Sequence, residues 1–266
     1  MKVRAVILAA GSGTRLSPIT PFVPKEMLPI CGFPAIHHAL YELAEAGVNE
    51  LLVITSDGKD AVVRYLTQSI SPKGEDATRL TLERDRLLGR LKIDFARQRV
   101  LRGTANAILL ARDFMGENPL LVLYPDDLLT VAHNLSDGIS ATSRLIVLSE
   151  QTGCSAVLVG EIPGRLASGY GVLSLSGEGL TRKVVGIEEK PTDFKGDRAY
   201  ALIGRMVLTP TAIRSISRFD LGDDKGIVPT LDHEAKNERL YAEIYRGARY
   251  DIGSHVGYAE TLRALQ

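Results

Sequence analysis

The chain has 266 residues, of which 45% are hydrophobic and 24% charged, and its 32 Lys and Arg residues balance its 32 Asp and Glu residues. This length predicts a single domain over residues 1–266, because α/β folds often run this long as one domain. The zero net charge argues against the basic surface that a nucleic-acid-binding protein needs. Cys31 and Cys154 fit neither a disulfide framework nor a zinc site, and the first apolar run is too short for a signal sequence or a membrane span, so we expect a cytoplasmic protein with no membrane partner.

Short apolar runs in the first half of the chain predict buried parallel strands. They cover residues 3–9, 51–55 and 120–124, and each is bounded by Gly, Asp or Pro. Helical spacing of apolar residues predicts one helix over residues 35–46 and another over residues 104–114, which is expected to begin at a capping threonine. Alternating strands and helices imply right-handed crossovers within one sheet.

The remaining elements are predicted at the edge of this sheet and in the second half of the chain. The charged segment 76–90 predicts an amphipathic surface helix, and alternation over residues 91–95 predicts a short peripheral strand. After Cys154, strand-like runs separated by Gly and Pro predict a second, mixed half of the same sheet; they cover residues 154–162, 171–175, 184–188 and 201–208. No linker or repeat separates the two halves, so no domain boundary is predicted.

A glycine-rich segment follows the first predicted strand, over residues 8–15. The carboxyl ends of parallel strands open a crevice, and glycines let backbone amides approach an anion closely. Thr14 and Arg15 add a hydroxyl and a permanent cation, and Lys25, between two prolines, adds a second cation. The segment lacks the Walker A pattern, and Leu16 stands where a dinucleotide fingerprint needs glycine. It predicts a polyphosphate site, although a tight strand-to-helix turn would also explain the two glycines.

Motifs along almost the whole chain resemble those of the sugar-1-phosphate nucleotidyltransferases. The glycine-rich segment reads Leu-Ala-Ala-Gly-Ser-Gly-Thr-Arg-Leu, and residues 24–29 read Pro-Lys-Glu-Met-Leu-Pro, which resembles the uridylyltransferases that act on glucose 1-phosphate. The further matches, in order, are Arg97-Gln98 with Gly103, Tyr124-Pro125-Asp126-Asp127, Gly169-Tyr170-Gly171-Val172, Glu188-Glu189-Lys190-Pro191, Ile203-Gly204-Arg205, and Tyr250-Asp251-Ile252-Gly253 with Gly257-Tyr258. The resemblance implies a Rossmann-like, three-layer domain with a mixed, mostly parallel sheet, the nucleotide-diphospho-sugar transferase fold.

The resemblance also implies a reaction and its partners. In this family the phosphate of a sugar 1-phosphate attacks the α-phosphorus of a nucleoside triphosphate, and magnesium pyrophosphate leaves. We therefore expect a Mg²⁺-dependent enzyme that uses UTP and glucose 1-phosphate, with a nucleotide-binding half at about residues 1–130 and a sugar-binding half at about residues 150–260. Family members commonly form dimers or tetramers, which makes a homo-oligomer an expectation.

The resemblance assigns the nucleotide mainly to residues of the first half. Arg15 is expected on the triphosphate and Lys25 near the reacting phosphates. The amide of Gln98 is suited to the edge of uracil, and Gly103 would let the base lie close to the backbone. The expected nucleotide-binding set is Ala9, Ala10, Gly11, Ser12, Gly13, Thr14, Arg15, Gln98, Gly103 and Asp126.

Two aspartates are the candidates for metal binding. Asp126 follows an apolar strand and Asp251 stands at another expected strand end, so their hard oxygen atoms could share one octahedral Mg²⁺. The alternative is that Asp126 and Asp127 cap the turn after the strand, and capping is the expected role of Asp127.

The sugar phosphate is assigned to residues of the second half. Glu189 could accept hydrogen bonds from sugar hydroxyls and Lys190 could meet the phosphate, which requires an irregular backbone because neighbouring strand residues point to opposite faces. An exposed charge cluster is the alternative. Tyr170, Gly171 and Gly204 complete the expected sugar-phosphate set, and Arg15, Lys25 and Lys190 form the expected catalytic set.

Departures from the family pattern keep other functions open. Ala105 and Asn106 replace a family Gly and His, so a thymidylyltransferase or another nucleotide-sugar pyrophosphorylase is an alternative. Residues 224–231 lack the family's acidic and amide side chains, and Ala199 replaces an Asn, so the sugar is open as well. A non-catalytic nucleotide-sugar-binding or regulatory protein is the alternative of another class. A nicotinamide oxidoreductase is disfavoured by Leu16.

Overall fold

A mixed sheet of nine strands forms the centre of the computed structural model, which describes residues 2–129, 138–219 and 226–265. The strands β10 (Thr181–Glu189) and β11 (Arg198–Leu208) run opposite to the other seven, which confirms a mixed, mostly parallel sheet. Across the sheet the order is β5 (Lys92–Arg97), β4 (Glu50–Thr55), β1 (Arg4–Leu8), β6 (Leu120–Leu123), β11, β8 (Ser155–Pro163), β12 (Leu240–Tyr245), β10 and β9 (Gly171–Ser176).

Helices and two small ribbons surround this sheet. One ribbon pairs β2 (Pro29–Ile30) with β3 (Phe33–Pro34), and the other pairs β7 (Asp127–Leu129) with β13 (Arg249–Asp251). The α-helices are α1 (Ala35–Glu45), α2 (Asp60–Thr67), α3 (Glu75–Leu88), α4 (Gly103–Leu109), α5 (Arg112–Met115), α6 (Ala141–Thr152), α7 (Pro210–Ile216), α8 (Val228–Lys236) and α9 (His255–Ala264). Short 3₁₀ helices cover Thr14–Leu16, Lys25–Met27 and Gly164–Gly169. None of the helices in these described ranges has the length and apolar character needed to cross a bilayer.

The apolar strands are buried on both faces, which produces three layers. Val6 of β1 packs into one apolar cluster with residues of α4 and α7, whereas Ala5 and Ile7 pack into another with residues of α1 and α6. Successive side chains of a strand point to opposite faces, so a continuous apolar run supplies both clusters. The three-layer expectation from the family resemblance is therefore confirmed.

Most predicted elements of the first half occur, but the helix predicted over residues 104–114 is wrong in two respects. Two helices, α4 and α5, occupy this stretch, because the amides of Leu110 and Ala111 bond to carbonyls three residues earlier and tighten the end of α4. The residue before the first turn of α4 is Arg102, with no side-chain cap, and Thr104 lies inside the helix. Its hydroxyl instead lies within hydrogen-bonding reach of the Tyr124 side chain.

Strand β11 joins the two halves of the sheet. It pairs with β6 over its last four residues and with β9 at Tyr200 and Ala201, and its register against β8 shifts between Leu202 and Met206. A Cβ atom on Gly204, within this irregular stretch, would lie 2.6 Å from the Cβ atom of Tyr124. Only glycine therefore lets β11 approach the end of β6 here, and the irregular stretch opens toward the site described below.

His37 of α1 is a buried histidine that packs between aromatic side chains. Its ring stacks on Phe33 with the ring centroids 3.9 Å apart, and its Nδ1 atom shares a hydrogen bond of 2.9 Å with the Tyr65 hydroxyl. Burial, reinforced by the neighbouring His38, lowers the pKa of His37 to about 4. The imidazole is therefore neutral in the folded protein across the range in which it ordinarily takes up a proton.

The free energy of unfolding is expected to decrease as the pH is lowered, because of His37. Between about pH 6.5 and pH 4 the unfolded chain binds a proton at this imidazole and the folded chain does not, so the free energy of unfolding decreases by up to about 1.4 kcal/mol per pH unit. We expect His37→Gln to flatten this slope, measured by urea unfolding between pH 7 and pH 5. The exposed His255→Gln is the control and should keep the wild-type slope. An unchanged slope in His37→Gln would contradict the prediction.

Candidate active site

A cavity of about 370 Å³ opens where the carboxyl ends of β6 and β10 meet the irregular stretch of β11. This is the edge at which ligands bind in sheets of this type. The cavity takes residues from both halves of the chain. Its lining includes Arg15, Gly103, Thr104, Tyr124, Asp126, Asp127, Tyr170, Gly171, Glu189, Lys190, Ile203, Gly204, Val228, Arg249 and Asp251.

The two aspartates predicted to bind a metal converge in this cavity. Asp251 is the last residue of β13 and pairs with Asp127 of β7, which places it beside Asp126, and the Ile252 amide donates to the Asp126 carbonyl at 2.9 Å. A Cβ atom on Gly253 would lie 2.9 Å from Asp251 Oδ1 and 3.0 Å from Asp126 Oδ2. The β7–β13 ribbon therefore brings two carboxylate oxygens close to one point, and the NH2 atom of Arg15 lies 2.7 Å from the same Cβ position.

This carboxylate pair fits a hard divalent cation. Within the three described ranges, no group of three or more His, Cys, Asp or Glu side chains is arranged to hold a metal. Mg²⁺ in proteins is commonly held by one or two carboxylates, with water and substrate phosphates as its other ligands. Asp126 and Asp251 could hold such an ion once a phosphate-bearing substrate is present.

Lys25 forms an ion pair with the first of these carboxylates, with its Nζ atom 2.6 Å from Asp126 Oδ2. Burial alone would lower the pKa of Lys25, but the Asp126 carboxylate, aided by Glu26, outweighs burial and raises it. Burial alone would likewise raise the pKa of Asp126, but the Lys25 ammonium holds it below its ordinary value. Both groups are therefore charged at neutral pH.

A second ion pair anchors the 3₁₀ helix that carries Lys25. Glu26 is fully buried, and its Oε2 atom lies 2.7 Å from the Nζ atom of Lys59, at the start of α2. Burial raises the pKa of Glu26 even though Lys59 and Lys25 oppose the effect. The backbone around Lys25 is thus tied to the start of α2.

The glycine-rich segment turns sharply and reaches the carboxylate pair. Gly13 has φ of 67°, and a Cβ atom there would lie 2.8 Å from Thr20 Cγ2, so the turn requires glycine. The Ser56 hydroxyl donates to the Ala10 carbonyl at 2.7 Å, and Lys25 Nζ would lie 3.9 Å from a Cβ atom on Gly11. At its end, Arg15 NH1 lies 3.8 Å from Asp251 Oδ2.

The exposed part of the predicted nucleotide-binding set is Gly11, Ser12, Thr14 and Arg15, whereas Ala9 and Ala10 are buried.

The structure places Gln98 behind the wall of the cavity. Its Nε2 atom donates to the Gly103 carbonyl at 3.2 Å and to Asn106 Oδ1 at 3.0 Å. Gly103 lines the cavity, whereas Gln98 is buried and is not part of the lining. Asn106, one of the departures from the family pattern, thus holds the amide that is predicted to meet the base.

The second half of the chain brings Glu189 and Lys190 into the same cavity. Strand β10 ends at Glu189, and Lys190 adopts a positive φ of 47°, which is the irregular backbone required for both side chains to reach one site. The Lys190 amide donates to the Tyr170 carbonyl at 3.0 Å, and its Nζ atom lies 3.5 Å from Glu189 Oε1. The predicted sugar-phosphate residues Tyr170, Gly171 and Gly204 also line the cavity.

The prediction that Asp127 caps a turn is wrong, because its carboxylate is bound by Arg249, a residue that was not among the predicted site residues. Arg249 donates to the Asp127 carboxylate through Nε at 2.6 Å and NH2 at 2.9 Å, and the Gly204 amide donates to the same carboxylate at 2.9 Å. The Arg249 guanidinium also lies 5.0 Å over the ring of Tyr170. Residues 249 and 251 share a face of β13, so the pattern Arg249-Tyr250-Asp251 held the signal that could have revealed this cation.

The departures from the family pattern differ in how close they lie to the cavity. Gly226, Ile227 and Val228 line it and make this wall apolar, whereas residues 224 and 225 lie outside the described ranges. Ala199 is not a lining residue, because it packs with Ala167 and Val172 in a small apolar cluster. The family Asn is therefore replaced at a position that does not line the cavity.

Anion-binding groups that face each other across a crevice, with carboxylates placed for a cation, are typical of enzymes that move a phosphate-containing group between two anionic substrates. The sequence profile that describes nucleotidyl transferases matches residues 4–266, and the chain belongs to this family.

Two bacterial relatives and one solved structure show which members of this family the chain resembles. The chain is 32% identical over 272 residues to a UTP–glucose-1-phosphate uridylyltransferase of Streptococcus pneumoniae, covering 98% of this chain and 89% of that protein. It is 32% identical over 260 residues to a protein of the same name from Pseudomonas aeruginosa, covering 95% and 91%. A solved UDP-glucose pyrophosphorylase in complex with UDP-glucose is similar with a TM-score of 0.88 at 30% identity, covering 99% of this chain and 98% of that chain.

Proposed function

We propose that this protein transfers the uridylyl group of UTP to glucose 1-phosphate, which yields UDP-glucose and pyrophosphate. The convergence of Asp126 and Asp251 beside Lys25, in a cavity whose other wall carries Glu189 and Lys190, is the observation that carries the proposal. The names of the two bacterial relatives support the choice of UTP and glucose 1-phosphate.

The chemistry requires little of the protein beyond positioning and charge. A phosphate oxygen of the sugar phosphate forms a bond to the α-phosphorus of the triphosphate, and the bond from that phosphorus to the bridging oxygen breaks. Pyrophosphate leaves with the electron pair. The attacking oxygen is already anionic, so no side chain has to remove a proton, and the task is to hold two anions in line.

We assign these tasks to groups in the cavity wall and beside it, since Arg15, Glu189 and Lys190 line the cavity and Lys25 contacts Asp126. The glycine-rich segment and Arg15 would hold the triphosphate, and Lys25 would offset charge that develops at the α-phosphate. Lys190 would hold the sugar phosphate and Glu189 the sugar hydroxyls. A bound Mg²⁺, held by Asp126 and Asp251, would offset the charge of the triphosphate. Gly103, which lines the cavity, and Gln98, which is buried behind it, remain the proposed base contacts. Gln98 would have to reach the base with its Oε1 atom, because its Nε2 atom already has two acceptors.

We also propose one nucleotidyltransferase domain and a cytoplasmic location. The sheet runs from β5, in the proposed nucleotide-binding half, to β9, in the proposed sugar-binding half, which supports a single domain. The thiols of Cys31 and Cys154 are both free, which supports a reducing compartment.

A substrate panel tests the reaction. Pyrophosphate release would be measured with UTP, dTTP, ATP, CTP and GTP, each with the 1-phosphates of glucose, galactose, mannose and N-acetylglucosamine. We expect UTP with glucose 1-phosphate to react fastest, whereas preference for dTTP would favour the thymidylyltransferase alternative. If no pair exceeds a Lys25→Ala control but calorimetry detects UDP-glucose binding, the protein is a non-catalytic nucleotide-sugar-binding protein.

Substitution of Lys190 separates the two substrate sites. Lys190→Met removes a charge-assisted contact, so we expect KM for glucose 1-phosphate to rise about 10- to 100-fold while KM for UTP changes less than about twofold. Initial rates with each substrate varied in turn measure both constants. Lys195→Met, which alters an exposed lysine of the following loop, is the matched control and should leave both constants unchanged. An equal rise in both constants for Lys190→Met would contradict the assignment.

A further inference from the structure

Arg205 is the largest fully buried side chain among the described residues, and all its nitrogens are hydrogen-bonded. Its Nε atom donates to the Glu42 carboxylate at 2.8 and 3.0 Å, and its NH2 atom donates to the same carboxylate at 2.8 Å. Glu42 belongs to α1 and also accepts from the Thr142 hydroxyl of α6. The guanidinium is therefore held by the helical layer behind the sheet.

The remaining bonds of Arg205 hold the turn that carries Asp126. NH1 donates to the Tyr124 carbonyl at 2.9 Å and to the Gly204 carbonyl at 2.9 Å, and NH2 donates to the Asp127 carbonyl at 2.8 Å. The two contacted carbonyls of the turn lie on either side of Asp126. Arg205 does not line the active-site cavity, so it touches this carboxylate's turn only through the backbone.

Burial of the Arg205 charge costs desolvation free energy, and a contribution to stability alone does not explain why an arginine stands here. A buried ion pair often contributes no more to stability than apolar residues of similar volume would. Arg205 also interrupts the apolar side chains of β11, which are otherwise suited to a buried strand. The planar guanidinium instead fixes the relative positions of its partners, because it contacts one carboxylate and three backbone carbonyls at the same time.

We propose that Arg205, held by Glu42, is a positioning residue that fixes Asp126 relative to Asp251 and thereby sets the affinity of the site for its divalent cation. The inference rests on the proposed function, since it takes these two carboxylates as the metal ligands. Mg²⁺ requires near-ideal octahedral geometry, so a small shift of the turn would weaken its binding. Groups that orient metal ligands typically change metal affinity about 10- to 100-fold when altered.

Manganese binding tests this inference independently of turnover. Mn²⁺ would be titrated against the protein with UTP, without sugar phosphate, and followed by electron paramagnetic resonance. Lysine keeps the charge but cannot span Glu42 and the carbonyls, so we expect Arg205→Lys to raise the Kd for Mn²⁺ about tenfold or more. The Mg²⁺ concentration for half-maximal activity should rise in parallel, while KM for glucose 1-phosphate stays unchanged. Glu42→Gln, which keeps the shape of the partner, should act in the same direction.

Arg239→Lys is the matched control, because Arg239 forms a two-nitrogen ion pair with the buried Glu234. It should leave Mn²⁺ affinity unchanged. A lower thermal midpoint for Arg205→Lys and Glu42→Gln without any change in Mn²⁺ affinity would overturn the inference, because Arg205 would then be merely structural. Absence of Mn²⁺ binding by the wild type would also overturn it. If Mn²⁺ affinity changes as expected but no substrate pair turns over, the inference is supported and the proposed reaction is wrong.

Discussion

Replacement of Asp126 by Asn is expected to lower kcat about 1,000-fold while the protein stays folded. The amide keeps the shape of the side chain but loses its charge, so the site would hold its cation with Asp251 alone. The loss of one group that stabilises a developing charge typically lowers kcat 10²- to 10³-fold, and metal ligation places this variant at the upper end of that range. Single-turnover and steady-state rates across a Mg²⁺ series measure the effect.

The same substitution leaves Lys25 buried without its carboxylate. Burial lowers the pKa of Lys25 and Asp126 raises it, so the pKa of this lysine is expected to fall in the variant. Loss of one partner of a buried pair typically costs about 3–5 kcal/mol of stability, and deprotonation of Lys25 would limit this cost. Asp76→Asn alters a carboxylate that is 93% exposed and is the matched control for both measurements. A kcat for Asp126→Asn within tenfold of the wild-type value would remove Asp126 from the reaction.

The strands could be predicted from the sequence where burial alone determines them. A strand that is buried on both faces reads as a continuous apolar run, and β1, β4 and β6 all have this pattern. The break between α4 and α5 has no such pattern, because it depends on a few backbone hydrogen bonds that tighten one turn. The sequence indicated a strand end at Asp251, where β13 ends, but not its partner β7, because the two short strands are more than 100 residues apart in the chain.

Contacts between residues that are distant in the sequence also limit what could be predicted about the active site. Asp127 follows a strand, where an aspartate commonly caps a turn, and only its contact with Arg249, 122 residues later, reveals its partner. The partner of Arg205 is 163 residues earlier, although a charged residue within an apolar run was a visible anomaly. Motifs thus located Asp126 and Asp251, but the ribbon that makes them converge depends on long-range pairing.

Replacement of Lys25 by Met is expected to lower kcat/KM for UTP about 100- to 1,000-fold. The Nζ atom lies between the glycine-rich segment and Asp126, where it can offset the charge of the triphosphate, and methionine keeps the bulk of the side chain without the charge. Lys236→Met is the matched control, because Lys236 forms an ion pair of similar length with Asp232 but is largely exposed. It should keep wild-type activity.

The double variant Lys25→Met with Asp126→Asn shows whether the two residues act as a unit. Each single change leaves a buried group without its partner, whereas the double change removes both charges together. We therefore expect the double variant to unfold at a temperature no lower than Asp126→Asn does, and to lose less than about tenfold further in kcat/KM. Independent roles would instead make the two losses in kcat/KM multiply. That outcome would mean that Lys25 acts on the substrate without depending on Asp126, and that the 2.6 Å ion pair gives way when substrate binds.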